Sequence, residues 1–298
     1  MVSNVEIGAH LGVEPSWIEQ VSGIVERRFA ADDETAVDMA ERAALHCLQS
    51  AGAPAGDIGM LIMASGTGAR RFPGPAAVVS HRLGLAGVPA LDLPIASAGS
   101  IFGLCLAAQL TPSHGNVLVV AAEKLSEVIL RQPVEPGTAA LFGDGAGACL
   151  VSTSGGTAEI LSCTMHSDGA FAEDLRLDFG GPVVMNGRSV ILQASRKIPR
   201  CILQVLEQTE IPPGRVGAFI LHQANRNLLD AVSRALGVPP DRFYCNIQRY
   251  GNTSSASMLI AASEWSETAG SRSGEPLVFA GFGAGFHWGA LVAVGVPA

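Results

Sequence analysis

The apolar residues of this chain fall into two patterns, short unbroken runs and longer stretches of helical spacing, and the two alternate along its length. The runs include those ending LQSAGAPAGDIGMLI (48–62) and LEQTEIPPGRVGAFI (206–220), then VLVVAAE (117–123), GACLV (147–151), PLVFAGF (276–282) and GALVA (289–293). A run at 88–95 is similar. Apolar runs this short, bounded by Pro and Gly, predict strands buried on both faces, the pattern of a parallel sheet. Between them, residues 33–51, 196–208 and 225–236 carry Ala, Met and Leu at helical spacing, and 33–51 opens on acidic residues that suit a helix N-terminus. Residues 99–110 are apolar all round, as in a helix buried in the middle of a domain, and 256–265 predicts another helix.

The runs also repeat. Aligned without a gap, 48–62 and 206–220 place Leu48 over Leu206, Pro54 over Pro212, Gly56 over Gly214, Gly59 over Gly217 and Ile62 over Ile220. Nearly the same offset brings 117–123 over 276–282, and 147–151 lies near 289–293. An internal duplication of one α/β unit follows, with halves of about 1–155 and 156–298.

Composition then excludes several classes of function. With 298 residues, 48% of them hydrophobic and 15% charged, the chain can bury a large core. The net charge of −8, with no basic run longer than Arg27-Arg28 or Arg70-Arg71, argues against a nucleic-acid partner. The six cysteines are dispersed, with no CxxC pair and no His at zinc-ligand spacing, so no metal is expected. They read as small buried hydrophobes of a reducing, cytoplasmic location. The start MVSNVEIGAH has no signal-peptide character, and the long uncharged run 93–113 is broken by Pro94, Pro112 and Gln109, so no membrane span is expected.

Four places carry candidate chemistry. Ser97 stands between the 88–95 strand and the buried helix, as a helix cap, a core residue or a nucleophile. His222 follows a buried strand, where α/β sheets gather ligands, and is also placed as a hydrogen-bonded core histidine. Asn252, in the tight loop RYGNTSSAS (249–257), falls near the repeat equivalent of Ser97 and reads equally as a cap. AGFGAGFHWG (280–289) sets glycines around Ala284. Neither it nor GDGAGA (143–148) fits a dinucleotide loop, whereas glycines that admit backbone amides to a substrate suit an oxyanion site.

In this order the motifs resemble the thiolase-fold β-ketoacyl-acyl carrier protein synthase III family. The matching blocks are DLPIASAG around Ser97, LFGDGAGA at 141–148, HSDG at 166–169, MNGR at 185–188, HQAN at 222–225, GNTS at 251–254 and GFGAGFHWG at 281–289. The resemblance implies a layered αβαβα fold of two duplicated halves and a nucleophile, histidine and asparagine at Ser97, His222 and Asn252. It places the oxyanion hole at the amides of Ser97 and Ala284. The implied reaction is decarboxylative condensation of an acyl starter with a malonyl thioester, for fatty acid or polyketide synthesis. Acyl-coenzyme A or acyl carrier protein would bring the acyl group, with no tightly bound cofactor. Trp17, Phe72 and Phe142 match substrate-binding positions, Phe72 by reaching across a homodimer. Arg226 and Arg234, on the helix after His222, are placed to meet an acidic carrier protein or simply to be solvated.

The chain departs from the family at three points. Serine stands where the family has a cysteine, and an alcohol depends more on a general base than a thiol does. Three readings stand: a natural serine enzyme like the polyketide starter-unit ketosynthases, an introduced Cys→Ser change, or a site that decarboxylates without being acylated. Cys105 does not replace the thiol, lying about 12 Å along the helix at 1.5 Å per residue. Secondly, 3–23 resembles family sequence that follows a first strand, central in the family sheet, so the first half is expected to lack that strand or to be rearranged. Thirdly, Val21 and Pro136 replace arginines near the adenine, which predicts weaker coenzyme A binding. A non-condensing acyltransferase, an inactive partner subunit, and a hydrolase using Ser97, Asp168 and His222 remain as alternatives, the last weakened by Ile95 at the first position of its G-x-S-x-G elbow.

Overall fold

The computed structural model describes residues 1–270 and 272–297. Its core strands, labelled here in chain order, are β1 (Ile58–Ala64), β2 (Ala90–Leu93), β3 (Asn116–Glu123) and β4 (Gly145–Val151), then β5 (Ala158–Ser167), β6 (Ala218–Leu221), β7 (Pro276–Gly283) and β8 (His287–Gly295). The core helices are α1 (Ala36–Ala51), α2 (Gly99–His114), α3 (Gly187–Gln208), α4 (Arg226–Leu236) and α5 (Ser257–Thr268). The first sheet has the order β2-β1-β3-β4 and the second β6-β7-β8-β5.

Alternation along the strands sets the layers. Leu61, Met63, Leu118 and Val120 point outward onto Ala40, Ala44 and Leu48 of α1. Their neighbours Ile62, Ala64, Val119 and Ala121 point inward onto α2 and α5, where Leu291 and Ala293 of the second sheet join the same cluster. The outer face of the second sheet packs on Ile198, Ile202 and Val205 of α3 and Leu228, Leu229 and Val232 of α4. The result is five layers, αβαβα, with α2 enclosed between two sheets as its unbroken apolar surface predicts. Gly103 lets α2 lie close to the sheet, because a Cβ there would meet Val119 Cγ1 at 2.7 Å.

Local sequence explains the boundaries. Thr35 and Asp38 form a reciprocal capping box before α1, and Gly52 ends it in the left-handed conformation. The strand expected at 88–95 shortens to Ala90–Leu93, since Pro89 and Pro94 have no N–H for the ladder. Helix α2 runs past its expected end through Pro112, and Thr111 Oγ1 donates to the Ala108 carbonyl that the proline cannot reach. Helix α3 begins nine residues before the expected 196, started by Asn186, whose side chain accepts from the Ser189 amide.

Two expectations need correction. Parallel pairing holds for β2-β1-β3 and β6-β7, but β4, β8 and β5 are antiparallel to their neighbours. Buried apolar runs do not encode direction. The short 284–286 connection between β7 and β8 does, because a parallel pair needs a crossover of about a dozen residues or more. The strand that opens a half is also not central. In the second half it is β5, at the sheet edge against β8. Among the described residues no strand covers β4 on the corresponding edge of the first sheet. Residues 2–27 instead form a two-residue strand pair and the helices Asn4–Leu11 and Pro15–Ser22. The uncovered edge is visible in burial: Gly289–Ala293 of β8 are all buried, whereas Ala148, Cys149 and Leu150 of β4 are half-buried.

Candidate active site

Ser97 is buried, in a left-handed conformation at φ 64°, between the end of β2 and the start of α2. Its hydroxyl does not cap the helix. Ala98 is the N-cap and makes no side-chain cap bond, while Ser97 Oγ lies 3.3 Å from Ser254 Oγ. Gly283 allows this turn to press against the second half, since a Cβ at that position would overlap the Ala96 carbonyl oxygen and meet Ser97 Cβ at 2.9 Å. Gly283 immediately precedes Ala284, so the glycine-rich turn is fixed beside the candidate nucleophile.

His222 and Asn252 come to the same place from the second half. His222 follows β6, and its backbone N–H donates to the Ala280 carbonyl of β7 at 2.8 Å. Its Nδ1 lies 2.6 Å from Ser257 Oγ at the head of α5, and Ser257 Oγ also accepts the Gln223 amide at 3.1 Å. Burial pushes the imidazole down to about 4, against a hydrogen bond to the Ser254 backbone that acts in the opposite direction. The ring is therefore neutral at pH 7 and able to donate a hydrogen bond without carrying charge. Asn252 is anchored through its backbone, its N–H donating to Leu141 and its carbonyl accepting from Gly143, so Phe142 is bridged to it. Asn252 Oδ1 accepts the Ser254 amide at 2.9 Å, and among the described residues Nδ2 has no hydrogen-bond partner.

Three residues of this site were not expected from the sequence, although Ser254 closes the GNTS block. Ser254, with φ 49°, is the hub: it meets Ser97, Asn252 and His222 as above, and its Oγ donates to Glu123 Oε1 at 3.0 Å. Glu123, the last residue of β3, is fully buried, and its Oε2 accepts from the Gly66 amide, the Thr67 amide and Thr67 Oγ1 at 3.0, 3.0 and 2.8 Å. Burial raises its pKa against those donors. Ser257 orients His222. A lone glutamate ending the apolar run VLVVAAE was the one legible hint; the two serines are hidden in SSAS.

The other expected site residues are placed as follows. The Ser97 amide, expected in the oxyanion hole with Ala284, donates to Ser254 Oγ at 2.9 Å. Phe142 is buried among Leu125, Val128, Ile129 and Ala139. Phe72 is 86% exposed, apart from its own chain's site, and Trp17 is on the surface at 38%. The helix carrying Trp17 docks on the start of α4, where Asn225 Nδ2 donates to the Val21 carbonyl and Gly23 makes room for the Arg226 side chain. Arg226 is exposed and 3.6 Å from Asp230, and Arg234 is exposed on the same helix. Gln223 and Asn225 are structural: Gln223 bonds the Leu221 and Tyr244 carbonyls, and Asn225 caps α4. Cys105 is buried against Cys163 and does not reach the site. Asp168 bonds Lys197 at 2.9 Å rather than His222, which leaves the hydrolase order without its geometry. Among the described residues no group of three His, Cys, Asp or Glu side chains is placed to hold a metal ion, and no helix is long and apolar enough to cross a membrane.

The chain is also similar to known proteins. Residues 91–169 match the model of 3-oxoacyl-[acyl-carrier-protein] synthase III, and residues 206–294 match that of its C-terminal region. The β-ketoacyl-[acyl-carrier-protein] synthase III of Oceanobacillus iheyensis is 36% identical over 293 residues, covering 98% of this chain and 93% of that protein. The crystal structure of 3-oxoacyl-[acyl-carrier-protein] synthase III from Aquifex aeolicus superposes with a TM-score of 0.93 at 34% identity, covering 98% of this chain and 95% of that one. The priming β-ketosynthase of the R1128 polyketide pathway superposes at 0.90 with 29% identity, covering 100% and 93%. With its layered fold and with both ends of the site matched, the chain belongs to the β-ketoacyl-acyl carrier protein synthase III family of thiolase-fold enzymes.

Proposed function

We propose that this enzyme condenses an acyl starter with a malonyl thioester, with Ser97 as the acylated residue. The observation that supports this most is the meeting of Ser97, His222 and Asn252 around Ser254 in one buried place, with Ser97 and His222 delivered by strand ends of the two halves and Asn252 by the turn before α5. Ser97 Oγ takes the acyl group from a thioester, and the thiol leaves. Asn252 Nδ2 and the neutral His222 ring then offer two hydrogen bonds to the thioester carbonyl of the malonyl unit, where negative charge gathers as carbon dioxide departs. The resulting carbanion attacks the acyl-serine, releasing Ser97 and forming the β-ketoacyl product. A neutral histidine suits this better than a charged one, because it stabilises the enolate without giving up its proton.

The acyl and malonyl donors are thioesters of coenzyme A or of acyl carrier protein, with Trp17 and Phe142 on the substrate path. Arg226 and Arg234 offer positive charge to an acidic carrier. The exposure of Phe72 favours a homodimer in which it lines the partner's pocket. Residues 1–155 and 156–298 are taken as the two halves of one catalytic unit.

The test is intact-mass analysis after exposure to acetyl-, butyryl- and octanoyl-coenzyme A, followed by malonyl thioester. A single acyl adduct absent from Ser97→Ala, then carbon dioxide with a β-keto product, supports the reading. An adduct that persists in Ser97→Ala overturns the nucleophile, and simple transfer without carbon dioxide release favours a non-condensing acyltransferase.

A further inference from the structure

An alcohol at position 97 needs a base, and the expected base does not touch it. Among the described residues no hydrogen bond joins Ser97 to His222, whose Nδ1 is held by Ser257 Oγ. What Ser97 Oγ does approach is Ser254 Oγ, at 3.3 Å.

The hydrogen-bond inventory around Ser254 fixes a direction. A hydroxyl has one proton to give and two lone pairs to accept with. One lone pair of Ser254 Oγ takes the Ser97 amide at 2.9 Å, and its proton goes to Glu123 Oε1 at 3.0 Å, an oxygen that in a carboxylate can only accept. The remaining lone pair faces Ser97 Oγ, so the shared proton on that side belongs to Ser97. The other Glu123 oxygen is held by three donors from the turn after β1, which favour the carboxylate form and fix its position. Ser254 is itself held in a left-handed conformation that costs a non-glycine residue energy, and the Asn252 side chain on its amide maintains it.

We propose that Ser254 and Glu123 form a proton relay that activates Ser97. As Ser97 Oγ bonds to the thioester carbonyl carbon, its proton passes to Ser254 Oγ, and the proton of Ser254 passes to Glu123 Oε1. When the carbon–sulfur bond breaks, the proton on Glu123 returns to Ser254 Oγ, Ser254 gives its own proton to the sulfur, and the thiol departs, leaving acyl-Ser97 and an ionised Glu123. Burial lifts the basicity of Glu123 above that of a surface carboxylate, which suits the role. Ser254 touches the reacting oxygen; Glu123 acts through Ser254 and is a positioning and proton-accepting residue. The relay rests on the reading of Ser97 as the acylated residue.

Sulfur against oxygen provides the test. A thiol ionises near neutral pH on its own, whereas an alcohol does not. Glu123→Gln and Ser254→Ala should each slow acylation of the Ser97 enzyme by acetyl-coenzyme A about 100-fold, the scale of general-base assistance. In a Ser97→Cys background the same changes should slow acylation by less than about fivefold, because the thiolate forms without the relay. The double variant should be no slower than the slower single one. Equal slowing in serine and cysteine backgrounds, or unchanged acylation of Ser97 in both single variants, overturns the relay. Absence of any Ser97 adduct in the unaltered protein overturns the nucleophile reading instead, so the two failures are distinguishable. The thermal transition of each variant, with acylation of its cysteine form, separates a lost proton path from a lost fold.

Discussion

The two halves share one scaffold and divide the chemistry between them. Each has a strand, a turn and a buried helix in the same order, and the turns before α2 and α5 hold Ser97 and Ser254, two of the three non-glycine residues with positive φ among the described residues. The matching turns meet face to face, and their hydroxyls touch. Elsewhere the halves differ. The first half places Glu123 at the end of β3, beside the Gly66 and Thr67 amides. The second places Phe282 near the matching end of β7 and the neutral His222 after β6. The halves thus keep one frame and differ in what it carries, a carboxylate at the end of β3 and a phenyl ring near the end of β7.

The largest effect comes from breaking the pair at its reacting member. Ser97→Ala should abolish covalent acylation, read by intact mass, while leaving the thermal transition nearly unchanged. Loss of the fold instead would mean that the serine is held for structure.

Next in size is the burial of His222 in the second half. The folded protein keeps this ring neutral down to about pH 4, while the unfolded chain takes a proton below about 6.5. The stability involved is intact above the unfolded value and is lost as the pH falls toward 4. His222→Gln should therefore remove about 3 kcal/mol of the stability difference between pH 7 and pH 4. Urea titrations at both pH values measure it, and the raised pKa of Glu123 cancels because it is present in both proteins. Identical pH dependence would show that burial of the ring is not what neutralises it.

A smaller cost is expected where the halves press together. Gly283→Ala puts a methyl group into the Ala96 carbonyl and should destabilise the protein by about 2 kcal/mol, as overpacking does. It should also slow acylation, because the Ser97 turn must shift; a normal rate with a normal transition would show that the glycine is not required for close approach. The mildest contrast is between β4 and β8. With β5 on one and, among the described residues, no strand on the other, amide exchange should be faster along Gly145–Val151 than along His287–Gly295, measured by hydrogen exchange at neutral pH. Equal protection would mean that the uncovered edge is closed in solution.

Much of the frame was legible because it is written locally. The duplicated Pro and Gly loops, the apolar runs and the all-apolar helix each report their own burial, Ser97 and His222 stand at ends of such runs, and Asn252 lies in a polar loop marked by its glycine. Strand direction was not legible, since an apolar run reads the same in either sense and the three-residue turn at 284–286 lay inside a block read for its glycines. Ser254, Ser257 and Glu123 were hidden for another reason. Their importance lies in what they touch across 34 to 157 positions of sequence, and the residues beside them do not announce those contacts.

Ser97 and Ser254 come one from each half, so under the proposed relay neither half alone contains a working site. The stretch between the halves, residues 153–156, is exposed and includes two glycines at positive φ, so it is a natural place to divide the chain. Halves produced separately from a cut between Gly155 and Gly156 should be silent apart and should acquire the acyl adduct only after mixing. The hydroxyl pair would then report assembly itself, turning a condensing enzyme into a split sensor whose signal is a covalent mark on Ser97.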